Sequence, residues 1–340
     1  MRRDFMTIKD IAKECGCAVG TVSRVLNGQD YVSVKMRANV LRVVNKYGFV
    51  LNKNAKDLKA RRSKTIVIII KGIANMLFYD ILETLQRKIE KLPYNSSVII
   101  IDEYDNEAER AWNVFYEKKP LGFIFLGGNP ERFEEDFQRI KVPCVLITTK
   151  PKKTGLANLS SISTDEFQAS LNIAQYLIKN GHTKIGLIGG DFESAETAKN
   201  RYEGFIKGIE LSGLHFDFKK AYIIARYSME SGAEAVERLV KQFPEVTAVF
   251  CMSDVMAIGA VRRLCDLGYK VPNDISIVGF DGLPVADYYC PKITTIRQST
   301  QELATRGLET FINCIEKNAS ATDKTIPFEF VEGESVKKIN

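Results

Sequence analysis

The sequence has very few residues from which a metal or redox centre could be built. Only two of its 340 residues are histidine, and its seven cysteines never occur in the spacing C-x-x-C. Structural zinc sites need four His or Cys ligands, usually in closely spaced pairs. We therefore expect no metal site and no cofactor. We expect the cysteines to be the free thiols of a cytoplasmic protein, most of them buried in its cores.

Long hydrophobic runs are lacking as well. The longest wholly aliphatic run is Ile66–Ile70, far shorter than the ~20 residues that a membrane-spanning helix needs. The charged first residues are not followed by the apolar segment of a secretory signal. Hydrophobic residues make up 45% of the chain, as in globular proteins, and the length indicates two or three domains. We therefore expect a globular protein that does not contact a membrane.

Motifs of the common enzyme classes are also missing. The sequence contains no G-x-x-x-x-G-K-[ST] or G-x-G-x-x-G phosphate-binding motif, no G-x-S-x-G nucleophile motif and no H-E-x-x-H zinc motif. His182 has no catalytic partner spaced near it, so we interpret it as a structural residue that donates or accepts hydrogen bonds at the entry to a strand. We therefore predict no catalytic residues and no enzymatic activity.

The positive charge of the chain is concentrated at its beginning. Residues 1–64 contain 15 Lys or Arg and five Asp or Glu, a net charge of +10. The remainder contains 33 basic and 37 acidic residues, a net charge of −4. A basic segment attached to a mildly acidic body is typical of a protein whose basic part binds a polyanion. A solvated, disordered tail is the alternative, but this segment has dense helical patterning.

Three short helical patterns occupy this basic head. Apolar residues recur three or four positions apart in each, which gives each helix one face for a shared core: Ile8, Ile11, Ala12 and Cys15; Val22, Val25 and Leu26; Val40, Leu41 and Val44. Gly16 is placed to end the first helix, and Ser33 to cap the third. Two helices joined by a tight turn predict a helix-turn-helix that reads DNA. A small helical bundle that binds another protein is the alternative.

Residues 7–27, TIKDIAKECGCAVGTVSRVLN, closely resemble the head of LacI/GalR-type transcriptional regulators, and TVSRVLN is the most diagnostic stretch. The resemblance implies base selection by Val19 and Gly20, phosphate contacts by Thr21, Ser23 and Asn27, and a base-edge contact by Arg24. An arginine that pairs with both acceptors of guanine supplies ~1–3 kcal/mol of discrimination, whereas phosphate contacts fix the register.

Two positions of the head depart from the family's pattern. Ala18 stands where the family usually has a serine, and this change removes a helix N-cap worth ~1 kcal/mol. Gly20 has no side chain with which to contact a base. We therefore expect the second helix to contact fewer bases, or to recognise the shape of the DNA.

Residues 51–63 form a basic connector in which only Ala55 and Leu58 are spaced to make an apolar stripe. Two such residues are too few to hold a helix of this length alone. In the family that the head resembles, this segment is a hinge helix that orders on operator DNA, where its leucine enters the minor groove and bends the duplex. Leu58 matches that leucine and Ala55 the small residue before it, although Leu51 replaces the family's proline. A flexible linker is the alternative.

From residue 64 onward, apolar runs alternate with amphipathic helical patterns. This alternation predicts α/β lobes, each a parallel sheet with helices on both faces. The predicted strands are Ile66–Ile70, Val98–Ile101, Phe123–Leu126, Cys144–Ile147, Ile185–Ile188, Tyr222–Ile224, Ala248–Cys251 and Ile275–Val278, all buried, and the predicted helices lie near 77–92, 107–118, 166–180, 195–212, 230–242 and 254–267. Ligands of such folds bind beyond the carboxyl ends of the strands, in the cleft between two lobes.

The body resembles a two-lobed sugar-binding protein of the type I periplasmic class. The matching motifs are GHTKI (181–185), RYEGF (201–205), SD (253–254) with AIGA (257–260), the segment 271–281 that ends in GFD, and ITTIRQ (293–298). With the head, the resemblance covers nearly the whole chain. It implies a helix-turn-helix domain at 1–50, an interdomain hinge at 51–63 and an effector-binding and dimerisation domain at 64–340.

Carried over position by position, the resemblance implies an effector site made by Phe78, Arg201, Tyr227, Ser253, Asp281 and Gln298. Arg201 and Asp281 would hold opposite edges of the effector, since a guanidinium and a carboxylate can each bridge two neighbouring hydroxyls of a sugar. Gln298 and Ser253, where the family more often has asparagine, would add hydrogen bonds, and the two aromatic rings would line the sugar. The alternatives are a structural ion pair and aromatic residues that simply pack in the core.

These observations predict a transcriptional repressor that binds double-stranded palindromic operator DNA as a homodimer. A small, sugar-like effector would control its operator affinity allosterically. A solute-binding protein with no role on DNA and an enzyme such as a sugar kinase are the alternatives that the basic head and the missing motifs disfavour. A regulator whose body responds to a partner protein is a third, which the sequence leaves open.

Overall fold

The computed structural model describes residues 8–26, 32–47, 63–72, 74–130, 139–151 and 156–339. The chain divides after Ser63 into two compact units. Asn27, Ala55 and Leu58, three of the predicted DNA-contacting residues, lie outside the described residues, as does all of the predicted hinge before Ser63. No helix within the described ranges is long and apolar enough to cross a membrane.

Three helices form the described part of the first unit: α1 (Ile8–Glu14), α2 (Val19–Leu26) and α3 (Val34–Lys46). They pack around a core made by Ile11, Ala12, Cys15, Val22, Val25, Val40, Val43 and Val44. Gly16 has a φ of +61°, and this left-handed conformation turns the chain out of α1. The hydroxyl of Ser33 accepts a hydrogen bond from the Met36 amide at 3.4 Å, at the beginning of α3. The predicted helices and the tight turn are therefore confirmed.

The prediction for the inner face of α3 is wrong at one position. Leu41, expected in the core, is 43% exposed, whereas Val43 is only 1% exposed. The buried positions of this helix are 40, 43 and 44, which lie on one face at the spacing i, i+3, i+4. Residue 41 is turned by about 100° from residue 40 and so faces away from the core.

The second unit alternates strands and helices along most of its length. In chain order these are β1 (Thr65–Lys71), α4 (Leu77–Ile89), β2 (Asn95–Ile101), α5 (Glu107–Lys118), β3 (Gly122–Leu126), β4 (Cys144–Ile147), β5 (Leu159–Thr164), α6 (Glu166–Lys179), β6 (Ile185–Gly189), α7 (Glu196–Leu211), α8 (Phe218–Ala221), β7 (Tyr222–Ile224), α9 (Met229–Gln242), β8 (Ala248–Cys251), α10 (Asp254–Asp266), β9 (Ser276–Val278), α11 (Pro284–Tyr288), β10 (Thr295–Gln298), α12 (Thr300–Glu316), β11 (Asp323–Ile326) and β12 (Phe328–Val331). The predicted strands and helices of the body are all present, with small shifts at their ends.

A six-stranded parallel sheet organises the first lobe, with the strand order β2-β1-β3-β4-β5-β11. Successive residues of β1 point to opposite faces of this sheet. Ile66, Ile68 and Ile70 pack with side chains of α4 and α12, while Val67 and Ile69 pack with side chains of α5. Because both faces are covered, the strand is hydrophobic throughout, as parallel sheets require.

The second lobe has a four-stranded parallel sheet with the order β7-β6-β8-β9, and β10 pairs with β12 beside it in antiparallel fashion. One face of this sheet packs against α9 and α10, and the other against α6 and α7. The prediction of parallel sheets covered by helices on both faces is therefore confirmed for both lobes.

Several elements of the first lobe differ from what their sequences suggest: β5, β11 and α12 were not predicted, and β2 is less buried than expected. β2, predicted as a buried strand, is the edge strand, and its Ile100 is 51% exposed. β5, which reads LSSIST, was not predicted because three of its six residues are serine, yet the whole strand is buried. Its polar groups are satisfied within the fold: the hydroxyl of Ser161 donates to Asp323 Oδ1 at 2.6 Å, and that of Ser160 accepts from the Thr322 amide at 3.1 Å.

The cysteines and His182 have structural positions. All seven cysteines are free thiols, as predicted, but only Cys15, Cys144 and Cys251 are buried, so the expectation that most lie in the cores is wrong. His182 is fully buried, and its ring nitrogens lie 3.0 Å from Thr247 Oγ1 and 3.1 Å from the Lys337 carbonyl oxygen. Burial lowers the pKa of His182.

Candidate functional site

The outer face of α2 carries the predicted DNA-contacting residues that the structure describes. Val19, at 39%, is exposed, and so are Gly20 and Arg24. Thr21 and Ser23 are half-buried. The opposite face of the helix packs in the core of the head, so the helix turns one apolar side inward and one solvent-facing side outward. This arrangement leaves the predicted base-contacting positions accessible to a duplex.

Gly20 occupies an open position on this face. A Cβ atom built at Gly20 would have no heavy atom of the described residues within 4 Å, apart from the neighbouring residues and the backbone of its own helix. The glycine is therefore not required there by packing. Elsewhere in the head, two exposed hydrogen bonds join α1 to the end of α3: Glu14 accepts from Tyr47 Oη at 3.0 Å and from Lys46 Nζ at 3.3 Å. These two hydrogen bonds lower the pKa of Glu14.

A cleft in the second unit is lined by the carboxyl ends of strands from both lobes, where parallel sheets bind their ligands. Segments after β1, β2, β3 and β4 contribute from the first lobe, and segments after β6 and β7 from the second. Its lining consists of Lys71, Gly72, Asn75, Leu77, Phe78, Glu103, Tyr104, Gly127, Gly128, Thr148, Gly190, Asp191, Ser194, Ala195, Thr197, Arg201, Ala225 and Tyr227. Three aromatic rings and several hydroxyls therefore line one space.

The structure divides the six predicted effector residues among three places: the cleft, a neighbouring pocket and the beginning of α10. Phe78, Arg201 and Tyr227 line the cleft. Asp281 and Gln298 instead line a neighbouring pocket together with Asp80, Asp287 and Arg297, and they reach the cleft only through Arg201. Ser253 is fully buried, and its hydroxyl accepts from the Met256 amide at 3.3 Å, which caps α10.

Close packing around Tyr227 holds its ring in the cleft. Gly190, at the end of β6, lies under this ring, and a Cβ atom at Gly190 would come within 2.7 Å of it. On the other lobe, a Cβ atom at Gly127 would likewise come within 2.9 Å of the ring of Phe78. The two glycines therefore make room for the two aromatic side chains, and any side chain at either position would displace a ring.

Arg201 lies at the centre of a buried ionic cluster and is itself only 3% exposed. Glu166 Oε1 accepts from Arg201 Nη2 at 2.7 Å and from Nε at 3.1 Å. Asp281 Oδ1 accepts from Nη2 at 3.4 Å, and the Met252 carbonyl oxygen accepts from Nη1. The guanidinium carbon lies 3.8 Å from the centre of the Phe280 ring. Arg201 and Asp281 thus contact each other, as in the structural ion pair that was the alternative.

Asp281 is held in an unusual conformation within this cluster. Its φ is +110°, a region that favours glycine, so the surrounding contacts must outweigh its backbone strain. Gln298 Nε2 donates to Asp281 Oδ1 at 2.9 Å, and Gln298 Oε1 accepts from Thr164 Oγ1 at 2.8 Å. The Asp281 Oδ2 atom is buried and has no hydrogen-bond partner in the part of the chain that the structure describes. A chain of hydrogen bonds therefore connects β5 of the first lobe to Arg201 of the second.

Burial dominates the protonation of these side chains. It raises the pKa of Glu166 to about 7 and that of Asp281 to about 6, and the nearby Arg201 offsets only part of this effect. Burial alone lowers the pKa of Arg201, but its two carboxylate partners outweigh it and raise that pKa. Burial also raises the pKa of Tyr227 to about 12. At neutral pH Arg201 is therefore charged, while Glu166 titrates near pH 7.

A second buried ion pair, which the sequence analysis missed, lies on the first-lobe side of the cleft. Lys71 Nζ is 2.6 Å from Glu107 Oε2, and both side chains are almost completely buried. Glu107 Oε1 also accepts from the Asn129 amide. The available signal was a lysine that directly follows the aliphatic run of β1, because a charge at the end of a buried strand needs a partner.

Contacts at the mouth of the cleft join the two lobes. Arg226, just after β7, is 2.9 Å from Asp102 Oδ2 and 3.4 Å from Glu103 Oε1, and its guanidinium carbon lies 4.5 Å from the centre of the Tyr104 ring. The Tyr227 amide donates to Glu103 Oε2 at 3.5 Å. None of these rim residues other than Tyr227 was predicted, since loop residues carry no periodic pattern.

Comparisons with known proteins agree with this architecture. Residues 7–52 match the model of bacterial regulatory proteins of the lacI family, and residues 174–336 match that of a periplasmic binding protein-like domain. The HTH-type transcriptional regulator MalR of Clostridium butyricum is 32% identical over 97% of this chain and 99% of its own length. The chain belongs to the lacI family of bacterial regulatory proteins. It is therefore a DNA-binding transcriptional regulator, as the sequence predicted.

Solved structures share the fold of this lacI-family regulator. The lac repressor dimer bound to operator and the anti-inducer ONPF has a TM-score of 0.76 and 22% identity, with coverage of 98% of this chain and 99% of the other. The complex of the transcriptional regulator CelR with cellobiose has a TM-score of 0.70 and 24% identity, with coverage of 97% and 99%. At these identities the likeness establishes the fold, and the roles of individual residues stay predictions.

Proposed function

We propose that this lacI-family regulator is a repressor that acts on a palindromic operator as a homodimer in the cytoplasm, without catalytic activity, and that a small sugar controls its affinity for DNA. The observation that carries the proposal is the two-sided helix α2, whose outer face presents Val19, Gly20 and Arg24 while its inner face packs in the core. A buried cleft on the same chain supplies the second site that allosteric control requires.

The lining of the cleft supports a sugar as the effector. Phe78 and Tyr227 offer apolar ring faces on which the C–H side of a sugar can pack, and Thr148, Thr197 and Ser194 offer hydroxyls. Small-molecule sites typically combine an apolar surface with a few polar groups that fix orientation. The CelR structure, which shares this fold, holds cellobiose. Arg201 also lines this cleft and can donate to a ligand from any N–H that is not already hydrogen-bonded within the protein.

The exposed edge of the first lobe supports the homodimer. Among the described residues β2 pairs only with β1, and its Ile100 is 51% exposed beside half-buried Val98 and Ile99. An open edge strand with apolar side chains is a liability for a monomer and is commonly covered. A two-fold dimer of DNA-reading heads matches a palindromic operator, as the lac repressor dimer does with its operator.

The test is the selection of bound duplexes from a randomised DNA pool, with the full chain at near-physiological salt. A recovered palindrome, released or bound more tightly when ribose, maltose or cellobiose is added, is the expected result. No enrichment under any of these conditions would contradict a sequence-specific regulator controlled by these sugars. Enrichment that no sugar changes would retain the DNA-binding function and remove the sugar effector. Sedimentation of the free protein as a monomer at micromolar concentration would contradict the dimer.

A further inference from the structure

We propose that Glu166 makes the cleft selective against anions, so that the effector is an uncharged sugar and not a phosphorylated or acidic one. The proposal rests on the proposed function in that it assigns the chemical class of ligand for the same cleft. It assigns to Glu166, a residue that the sequence analysis did not single out, a role in specificity. Its basis is the way in which the cationic groups of the cleft are already paired.

The hydrogen-bonding capacity of Arg201 is nearly used up before any ligand binds. A guanidinium has five N–H donors. Glu166 Oε1 takes two of them, at 2.7 Å and 3.1 Å, Asp281 Oδ1 takes one at 3.4 Å, and the Met252 carbonyl oxygen takes one. The Phe280 ring covers one face of the group at 3.8 Å. One N–H of Nη1 is therefore left for a ligand, too few for the bidentate contact that binds a phosphate or a carboxylate.

The positive charge of Arg201 is neutralised by its neighbours, just as most of its N–H donors are already occupied. Two carboxylates in direct contact with one guanidinium give the cluster a net charge of −1 when both are ionised. Glu166 is the nearer partner and contacts both Nε and Nη2. The buried Glu196 adds a further acidic group near Glu166. An anion in the cleft would thus meet an arginine whose positive field is already cancelled.

The other charges that line the cleft do not supply a replacement. Lys71 is buried in its pair with Glu107 at 2.6 Å, and the remaining charged lining residues, Glu103 and Asp191, are acidic. An anion that enters this cleft loses its hydration and gains no unpaired cation among these residues, which is costly. A neutral polyol pays no such penalty, because its hydroxyls need only single donors and acceptors. Charge pairing inside the site thus acts against the wrong ligand class.

The substitution Glu166→Gln isolates the charge from the hydrogen bonds. Both contacts from Arg201 go to Oε1, and a glutamine keeps an oxygen there that can accept both. The variant therefore retains the local geometry and removes one negative charge. The matched control is Glu210→Gln, which removes the same charge from an exposed position of α7. Anion binding by the basic head is common to both variants and cancels in the comparison.

The experiment measures the binding of sulfate, a small dianion, to the full chain at pH 8 and constant ionic strength, by titration calorimetry and by thermal unfolding. We expect wild type and E210Q to show equal, weak responses, and E166Q to bind sulfate about tenfold or more tightly than E210Q. Equal sulfate binding by E166Q and E210Q would overturn the proposal. The same holds if E166Q binds more weakly than the control.

A second variant covers the case in which E166Q does not fold. Asp281→Asn removes the other carboxylate of Arg201, retains an oxygen for Gln298 and Arg201, and places at φ +110° a residue type that tolerates positive φ. We expect D281N to gain sulfate affinity in the same direction as E166Q but to a smaller extent, because Asp281 is the more distant partner. Sulfate affinity no higher than that of E210Q would contradict the proposal.

Sugars matched in all but charge test the ligand class directly on the wild-type chain. Glucose is compared with glucose 6-phosphate and glucuronate, and ribose with ribose 5-phosphate, by the same two methods. An acidic or phosphorylated sugar that binds wild type more tightly than its neutral partner would overturn the proposal. If no sugar of either kind binds or changes DNA binding, the sugar effector fails, while the sulfate comparison still decides whether Glu166 excludes anions.

Discussion

The outer face of α2 and the effector cleft handle charge in opposite ways. Arg24 on α2 is exposed and stands beside the open position of Gly20, so its guanidinium is accessible to a partner. Arg201 in the cleft is buried and donates its hydrogen bonds to Glu166, Asp281 and a backbone carbonyl. An arginine therefore stays available for the DNA contact that we propose on α2, whereas in the cleft the same residue type supports the fold from within. Burial and neighbours decide which of the two applies.

Replacement of the buried Arg201 should have the largest effect, a loss of unfolding free energy. Arg201→Met leaves Glu166 and Asp281 buried without their cation, and breaking such a pair typically costs about 3–5 kcal/mol of unfolding free energy. The loss should be smaller at pH 5.5 than at pH 8, because carboxyls whose pKa is already raised become neutral as the pH falls. Urea unfolding of the full chain at both pH values measures this. A loss under 1 kcal/mol at pH 8 would show that the cluster is not structural.

Removal of the external arginine should leave stability almost unchanged and weaken specific DNA binding. Arg24 is exposed, so Arg24→Gln should change the unfolding free energy by less than about 0.5 kcal/mol. Loss of a base-edge contact should cost about 1–3 kcal/mol on the selected operator and relax discrimination at one base pair. Titrations against the operator and its single-base variants measure both effects. Equal losses on every duplex, including random DNA, would make Arg24 a phosphate contact instead.

Lowering the pH should make the charge of Arg201 in the cleft more available to a bound anion. In the folded chain the pKa of Glu166 is about 7, above its ordinary 4.5, so lowering the pH from 8 to 6.5 protonates it there. Neutralisation of Glu166 uncovers part of the charge of Arg201, while Asp281, with a pKa of about 6, still faces it. Sulfate affinity of the wild type should therefore rise several-fold over this range.

E166Q serves as the reference for this pH dependence, because it lacks the titrating carboxyl. Its sulfate affinity should change much less between pH 8 and 6.5, and the small remaining change belongs to Asp281. Sulfate stays a dianion throughout this range, so the ligand contributes no titration of its own. Parallel pH profiles for wild type and E166Q would assign the effect to another group.

Sequence patterns predicted the frame of the molecule and part of its site. Strands such as β4 are continuous aliphatic runs because both faces of a parallel sheet are covered, and that pattern is visible without a structure. β5 escaped because its buried serines are satisfied by partners about 160 residues away, at Asp323 and Thr322. α12 was not predicted either, although Leu303, Leu308 and Phe311 mark its buried face. In that case the helical periodicity was present in the sequence.

The candidate site also depends on contacts between residues that are distant in the sequence, and these could not be predicted. The resemblance brought Arg201, Asp281 and Gln298 to attention, and the structure joins them in one hydrogen-bonded cluster. Neither the resemblance nor periodicity indicated that Glu166 would take the two nearest donors of Arg201. That contact depends on the packing of α6 against α7, and a first-turn glutamate on a helix is an ordinary surface pattern. Pairings between distant segments are what a single sequence conceals.

The smallest expected effect concerns the open position on α2. Gly20→Ala places a methyl group where no heavy atom outside the adjoining residues and the helix backbone lies within 4 Å among the described residues, and alanine favours the helix over glycine by about 0.5–1 kcal/mol. The head should therefore become slightly more stable, while the order of preference among operator variants changes because a side chain now faces the DNA. Thermal unfolding and a repeated duplex selection measure the two effects together. A destabilised head with unchanged preferences would mean that Gly20 serves the fold and not the choice of bases.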